Sequence, residues 1–231
     1  MPGTVKGIGT EKESSLHAAL KVHYAGRNGK TEVEAEGYVC DAVTSAGEVI
    51  EIQTGSFGPL KRKAVHLART APVRIVHPIA AHRYIETYDA HGALLRRRLS
   101  PKKGTHWDIF AALIHAPFLP ATPNLTIELA MVDIIEKRIL DGTGSWRRKG
   151  ARIAEKELAA YRETIPLSCT RDYRRFLPFS PEAEFTVKDL SEIESGPTEA
   201  LARKALYVLH KMGLVERVGK RGNAFLYACK I

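Results

Sequence analysis

The chain has 231 residues, 44% hydrophobic and 26% charged, enough apolar content for one large core or two small ones. With 35 Lys+Arg against 26 Asp+Glu it carries a formal net charge of +9, a balance that favours a polyanionic partner. No apolar run is long enough to cross a bilayer, and the N-terminus lacks the apolar core of a signal peptide. Cys40, Cys169 and Cys229 are too few and too widely spaced for a disulfide framework or a zinc cluster; these features exclude a membrane partner and give the expectation of a cytoplasmic protein.

Taken in chain order, the pattern predicts a helix over 13–25, with Leu16, Leu20 and Tyr24 as its stripe, and a turn at 26–29. One strand is expected over 32–43, a turn at 45–47, and a second strand over 48–54. Residues 55–59 break the strand and 60–69 read as a basic helix. Residues 73–79 look like a buried strand, and 83–88 with 93–99 read as a hairpin around 89–92. Residues 107–119 have helical spacing, Leu125, Ile127, Leu129 and Met131 alternate as a strand does, and 151–164 look helical. Residues 178–181 mark the expected boundary between a domain over 1–178 and a second over 183–231. The second reads as a helix over 186–193, a helix from the cap Thr198 to Gly213, and two strands flanking a basic tip at 219–222.

The most informative stretch is 38–54. Asp41 sits near the end of its first strand, while Glu51 and Gln53 point to one side of the second and Ile50 and Ile52 to the other. Two carboxylates on adjacent strands can converge on one hard divalent cation, and such a cation beside a basic surface suggests phosphodiester chemistry.

An acid, a spacer, and Glu51-Ile52-Gln53 on a second strand resemble the motif of the PD-(D/E)XK nuclease superfamily, with Cys40 at the family's Pro position and Gln53 at its Lys position. The order helix, hairpin, helix over residues 10–70 is similar to that of archaeal Holliday-junction resolvases. The resemblance implies an α/β fold, a restriction-endonuclease-like mixed sheet flanked by helices. It implies Mg or Mn held by Asp41 and Glu51, with Glu13 completing the set, and a catalytic group of Glu13, Asp41, Glu51 and Gln53. Gln53 carries no charge, so a neighbouring cation is needed, and Lys61 is the candidate with Lys63 beside it. His17, four residues after Glu13, is a further candidate for orienting water, against the simpler reading of a helix-surface histidine.

The last fifty residues resemble a winged helix-turn-helix domain, and the whole chain resembles a bacterial family with this motif and a C-terminal winged helix. Arg203, Lys204, Tyr207 and Lys211 lie off the apolar stripe of the second helix, where they could enter a DNA groove, with Lys220 and Arg221 on the wing. Further phosphate-tracking candidates are Lys63, Arg97 in the run 96–98, and Trp146, Arg147 and Arg148, where an aromatic stands among cations. The expectation is a metal-dependent DNA endonuclease positioned by a winged helix. The alternatives are a non-catalytic DNA-binding regulator on a decayed nuclease fold and a winged-helix adaptor for another protein, with a homodimer left open.

Overall fold

The computed structural model describes residues 14–230. The protein is a mixed α/β fold with a mixed multistranded sheet flanked by helices. The chain runs through α1 (Ser15–Ala25), β1 (Lys30–Ala35), β2 (Tyr38–Val43), β3 (Val49–Ile52), α2 (Lys61–Leu67), β4 (Val73–Tyr88), β5 (Leu94–Leu99), α3 (Ile109–Leu113), β6 (Leu125–Leu140) and β7 (Ala151–Leu167). It ends with β8 (Glu184–Phe185), α4 (Val187–Ser191), α5 (Glu199–Lys211), β9 (Val215–Arg221) and β10 (Ala224–Cys229). Among the described residues, seven strands form one sheet in the order β1-β2-β3-β4-β6-β7, with β5 also paired to β4, and three form a second in the order β8-β10-β9.

Local chemistry explains the first hairpin. The single strand expected over 32–43 is two strands, because Glu36 (φ 50°) and Gly37 (φ 77°) both take the left-handed conformation of a tight two-residue turn. β3 then runs antiparallel to β2 and parallel to β4, so α2 is the crossover between β3 and β4.

The strands expected over 73–79 and 83–88 are one strand, β4, with an irregularity between Ala80 and His82. Pro78 is tolerated inside it because β3 has ended by then and β5 has not begun, so no strand needs its missing N–H on that side. The helix expected over 107–119 shrinks to α3 flanked by 3-10 turns, as Pro117 and Pro120 forbid a longer one.

The helix expected over 151–164 is strand β7. Its Ala, Glu, Lys and Leu residues favour a helix locally, but pairing with β6 from Ile127↔Leu167 to Leu140↔Ala151 overrides that preference. Lys137 and Glu157, on the two strands, form an ion pair at 2.5 Å.

Two apolar clusters sandwich the sheet. Leu16 and Leu20 of α1 pack on Ile50, Ile52, Val76, Ala130 and Val132 on one face. On the other, α2 and α3 pack on Val49, Ile75, Ile127 and Leu129, and the same cluster continues into Ala205, Leu206 and Leu209 of α5 and on to Phe185 and Tyr227. Phe179, inside the expected boundary, stacks on Phe185 at 4.1 Å. The C-terminal helices and hairpin therefore share one core with the sheet.

Candidate functional site

The site forms where β2 and β3 part. Their ladder holds at Ala42↔Ile50 and Val43↔Val49. One residue further, the Asp41 carboxylate takes the place of a strand: its Oδ2 accepts the Ile52 N–H at 2.7 Å. The α1 residues His17 and Lys21, one helical turn apart, close on the same acid. His17 Nε2 lies 3.5 Å from Asp41 Oδ2 and donates to the Ile52 carbonyl at 3.0 Å. Lys21 Nζ lies 3.5 Å from Asp41 Oδ1 and 3.0 Å from Glu32 Oε1. Local sequence sets this face: Ser14 caps α1 by accepting the His17 N–H at 3.3 Å, while Leu16 and Leu20 hold the helix on the sheet.

Glu51 points to the opposite layer, away from Ile50 and Ile52, as the alternation requires. It is 4% exposed, and Lys63 Nζ of α2 sits 2.5 Å from its Oε1. Lys63 also donates to the Val39 carbonyl at 2.6 Å, which ties α2 to β2. Lys61, the expected cation, is exposed on α2, and Lys63 is the lysine that pairs with Glu51. Leu60, Ala64 and Leu67 form the buried stripe, and Lys63 lies three residues after the first and four before the last, on the edge of that stripe.

The two acids are electrostatically distinct. Burial pushes the Glu51 carboxyl up, and nearby Asp41 adds to this, with Lys63 opposing. Burial also acts to raise Asp41, but the hydrogen bonds from His17 and the Ile52 N–H, together with Lys21, outweigh it and hold Asp41 below the ordinary range. The two carboxyls do not converge on one point, against the expectation from the sequence: Asp41 faces α1 and Glu51 faces α2. Burial raises the Cys40 thiol beside them.

Gln53 turns away from both acids. Its side-chain Nε2 donates to the Ser56 carbonyl at 2.6 Å, and the Gln53 backbone carbonyl accepts from buried His77 Nδ1 at 2.6 Å. Beyond the end of β3 opens a cavity of about 320 Å³ lined by Ser14, Thr54, Pro78, Arg83, Glu155 and Lys156. Glu13, the third expected ligand, lies outside the described residues. Among the described residues no three His, Cys, Asp or Glu side chains cluster as a metal set.

The expected DNA-contacting residues fall in two places. On α5, exposed Arg203, Tyr207 and Lys211 recur every fourth residue, half-buried Lys204 lies beside them, and Lys211 sits 5.9 Å above the Tyr207 ring. Arg203 pairs with Glu199 at 2.9 Å. On the hairpin, Lys220 lies 5.5 Å from the Phe225 ring and Arg221 3.3 Å from Asp189. The sequence reading missed Arg217, stacked 4.3 Å over the exposed Phe225. Arg97 of β5 lies 5.5 Å over Tyr84, and Trp146, Arg147 and Arg148 occupy the β6–β7 loop.

No helix among the described residues is long and apolar enough to cross a membrane. No solved structure matches the chain. A protein of Treponema pallidum (strain Nichols), described as an uncharacterized protein, is 28% identical over 227 residues, covering 95% of this chain and 86% of that one. A family model matches residues 14–168, the span from the cap of α1 to the end of β7 that builds the split sheet and both acids. The chain belongs to the family described as Domain of unknown function (DUF8091).

Proposed function

We propose that this protein is a metal-dependent nuclease that acts on DNA, with a restriction-endonuclease-like core and a C-terminal winged helix. The observation that carries the reading is the strand split. Asp41 Oδ2 and the Ile52 carbonyl both face His17 Nε2, so two oxygens converge on one electropositive point, and Glu51 stands on the adjacent strand. Asp41 and the Ile52 carbonyl are hard oxygens of the kind Mg or Mn takes, and they would hold such an ion on the α1 side of the sheet, while Glu51 faces α2 and pairs with Lys63. Bound there, the metal would lower the pKa of a water and offset charge on the phosphate.

The chain's own residues supply the rest. Lys63 brings to Glu51 the positive charge that Gln53 lacks. His17 and Lys21 keep Asp41 ionised. The order α1-β1-β2-β3-α2-β4 supports the resemblance to the PD-(D/E)XK nucleases, and α4, α5 and the β9–β10 hairpin support a winged helix. The basic stripe on α5 and the cations of the hairpin suit phosphate contacts.

The test is the purified chain with Mg or Mn on linear, branched and single-stranded DNA. Cleavage that disappears with Asp41→Ala and with Glu51→Ala is expected. One observation favours a second reading, a DNA-binding protein that does not cut: the Gln53 amide is spent on Ser56, and Glu51 is buried in an ion pair with Lys63. Tight DNA binding with no cleavage under any metal would establish that reading and overturn the first.

A further inference from the structure

The β6–β7 loop presents an unusual residue. Trp146 is 83% exposed, although tryptophan is highly buried on average. Its exposure does not come from a loose loop. The Gly144 N–H donates to the Gly150 carbonyl at 2.8 Å, and the Arg148 N–H to the Ser145 carbonyl at 2.9 Å. Asp141 accepts from the Thr143 N–H at 3.0 Å and its hydroxyl at 2.7 Å, and pairs with Arg152 at 2.5 Å. Lys149 (φ 53°) and Gly150 (φ 81°) turn the chain back into β7. A fastened loop thus holds an indole out in water.

Cations surround it. Arg147 lies 5.6 Å over the indole, Lys149 is exposed, and the acid of the loop, Asp141, is engaged by Thr143 and Arg152. The start of β5 lies at the same end of the sheet, since Tyr88 pairs with both Leu94 and Ile139. β5 is therefore two strand spacings from β6, about 10 Å. From it run Arg96, Arg97, Arg98, Lys102 and Lys103, with no acid anywhere in residues 94–103.

We propose that this end of the sheet binds single-stranded nucleic acid, an unpaired base stacking on Trp146 while Arg147, Lys149 and the β5 arginines follow the phosphates. An indole flanked by cations offers a π-face and charge together, the pairing that single-strand sites use. A duplex keeps its bases stacked on one another and leaves the indole nothing to cover. Residues 142–150 contain no aliphatic side chain, but Leu94, Leu95, Leu140 and Ile153 are exposed at the same end, so an anionic membrane is the competing occupant, and phosphatidylserine vesicles decide between the two. The site is about 30 Å further along β6 than Met131, which lines a cavity with Ile193 of the C-terminal unit, so it is separate from the α5 stripe. It stands whether or not the acid site cuts DNA.

The experiment is metal-free and uses the full chain. Trp146 and Trp107 are the two tryptophans, and Trp107 is 8% exposed, so the emission open to acrylamide belongs to Trp146. An oligo-dT is expected to quench that emission and shield it from acrylamide, with a duplex of equal length doing so far less. Trp146→Ala should weaken oligo-dT binding about fivefold or more, measured by anisotropy, and Trp146→Phe should recover most of it. The proposal is overturned if oligo-dT neither quenches nor shields Trp146, if Trp146→Ala binds it as tightly as wild type, or if phosphatidylserine vesicles shield the indole and oligo-dT does not.

Discussion

Lys63 Nζ of α2 lies 2.5 Å from Glu51 Oε1 of β3, and both side chains are largely withdrawn from water. The pair links a helix to the strand that carries the motif. A positive charge reaches Glu51 from α2, while the Gln53 amide, two residues further along, is turned to Ser56.

Lys63→Ala should leave Glu51 buried without its counter-charge. Removing one member of a buried pair costs about 3–5 kcal/mol, so urea unfolding at pH 7 should show a loss of about 3 kcal/mol. The loss should shrink as pH falls, because burial raises the Glu51 pKa and a protonated carboxyl needs no counter-charge. Lys61→Ala, on the exposed side of α2, should leave the midpoint unchanged. Equal effects of the two would remove Lys63 from the site.

Gln53→Ala deletes one hydrogen bond to the Ser56 carbonyl and should cost about 1 kcal/mol. Any DNA cleavage should fall less than with Lys63→Ala. A larger loss from Gln53→Ala would mean that the Gln53 amide swings back toward the acids during reaction.

Asp133 is 3% exposed; hydrogen bonds from Arg162 and His82 hold its carboxyl below the ordinary range against the opposing effect of burial. A depressed folded-state pKa adds stability that is complete above the unfolded value, about 4, and is lost as pH falls through the folded value. Thermal melts of wild type should therefore decline below about pH 4. Asp133→Asn should be about 2 kcal/mol less stable at pH 7 and should decline less steeply in acid. Parallel acid curves would show that other carboxylates dominate.

Replacing Arg203 and Lys211 by Ala should weaken duplex DNA binding at low salt. Each phosphate that is no longer neutralised should reduce the slope of log K against log salt by about 0.9. Lys211 should account for most of that change, since Arg203 already pairs with Glu199 at 2.9 Å. Arg221→Ala should likewise change the slope less, since Arg221 pairs with Asp189 at 3.3 Å. An unchanged slope in the double variant would favour protein docking by this unit.

Gly144→Ala should disturb the β6–β7 loop, because a Cβ there would lie 2.0 Å from the Ala151 carbonyl oxygen. A fall in melting temperature of about 5 °C is expected. Gly55→Ala is the control, with nothing within 4 Å of its new carbon, and should melt as wild type does.

Local chemistry made several elements legible in the sequence alone. The stripe of Leu16 and Leu20, the strand around Glu51, the basic helix α2, and α5 with its hairpin each carry a period or a turn residue of their own. Asp41 and Glu51 could be named because they flank one tight connection. β7 could not be read, since its Ala, Glu and Lys favour a helix and only the partner β6 makes it a strand. Nor could the length of β4, whose continuity through Pro78 depends on where its neighbours end. The pairing of Lys63 with Glu51, and of His17 and Lys21 with Asp41, was also set by tertiary structure. A helix sequence shows which residues share a face, but packing of Leu60, Ala64 and Leu67 on the sheet fixes how α2 is rotated, and so which lysine meets the buried acid.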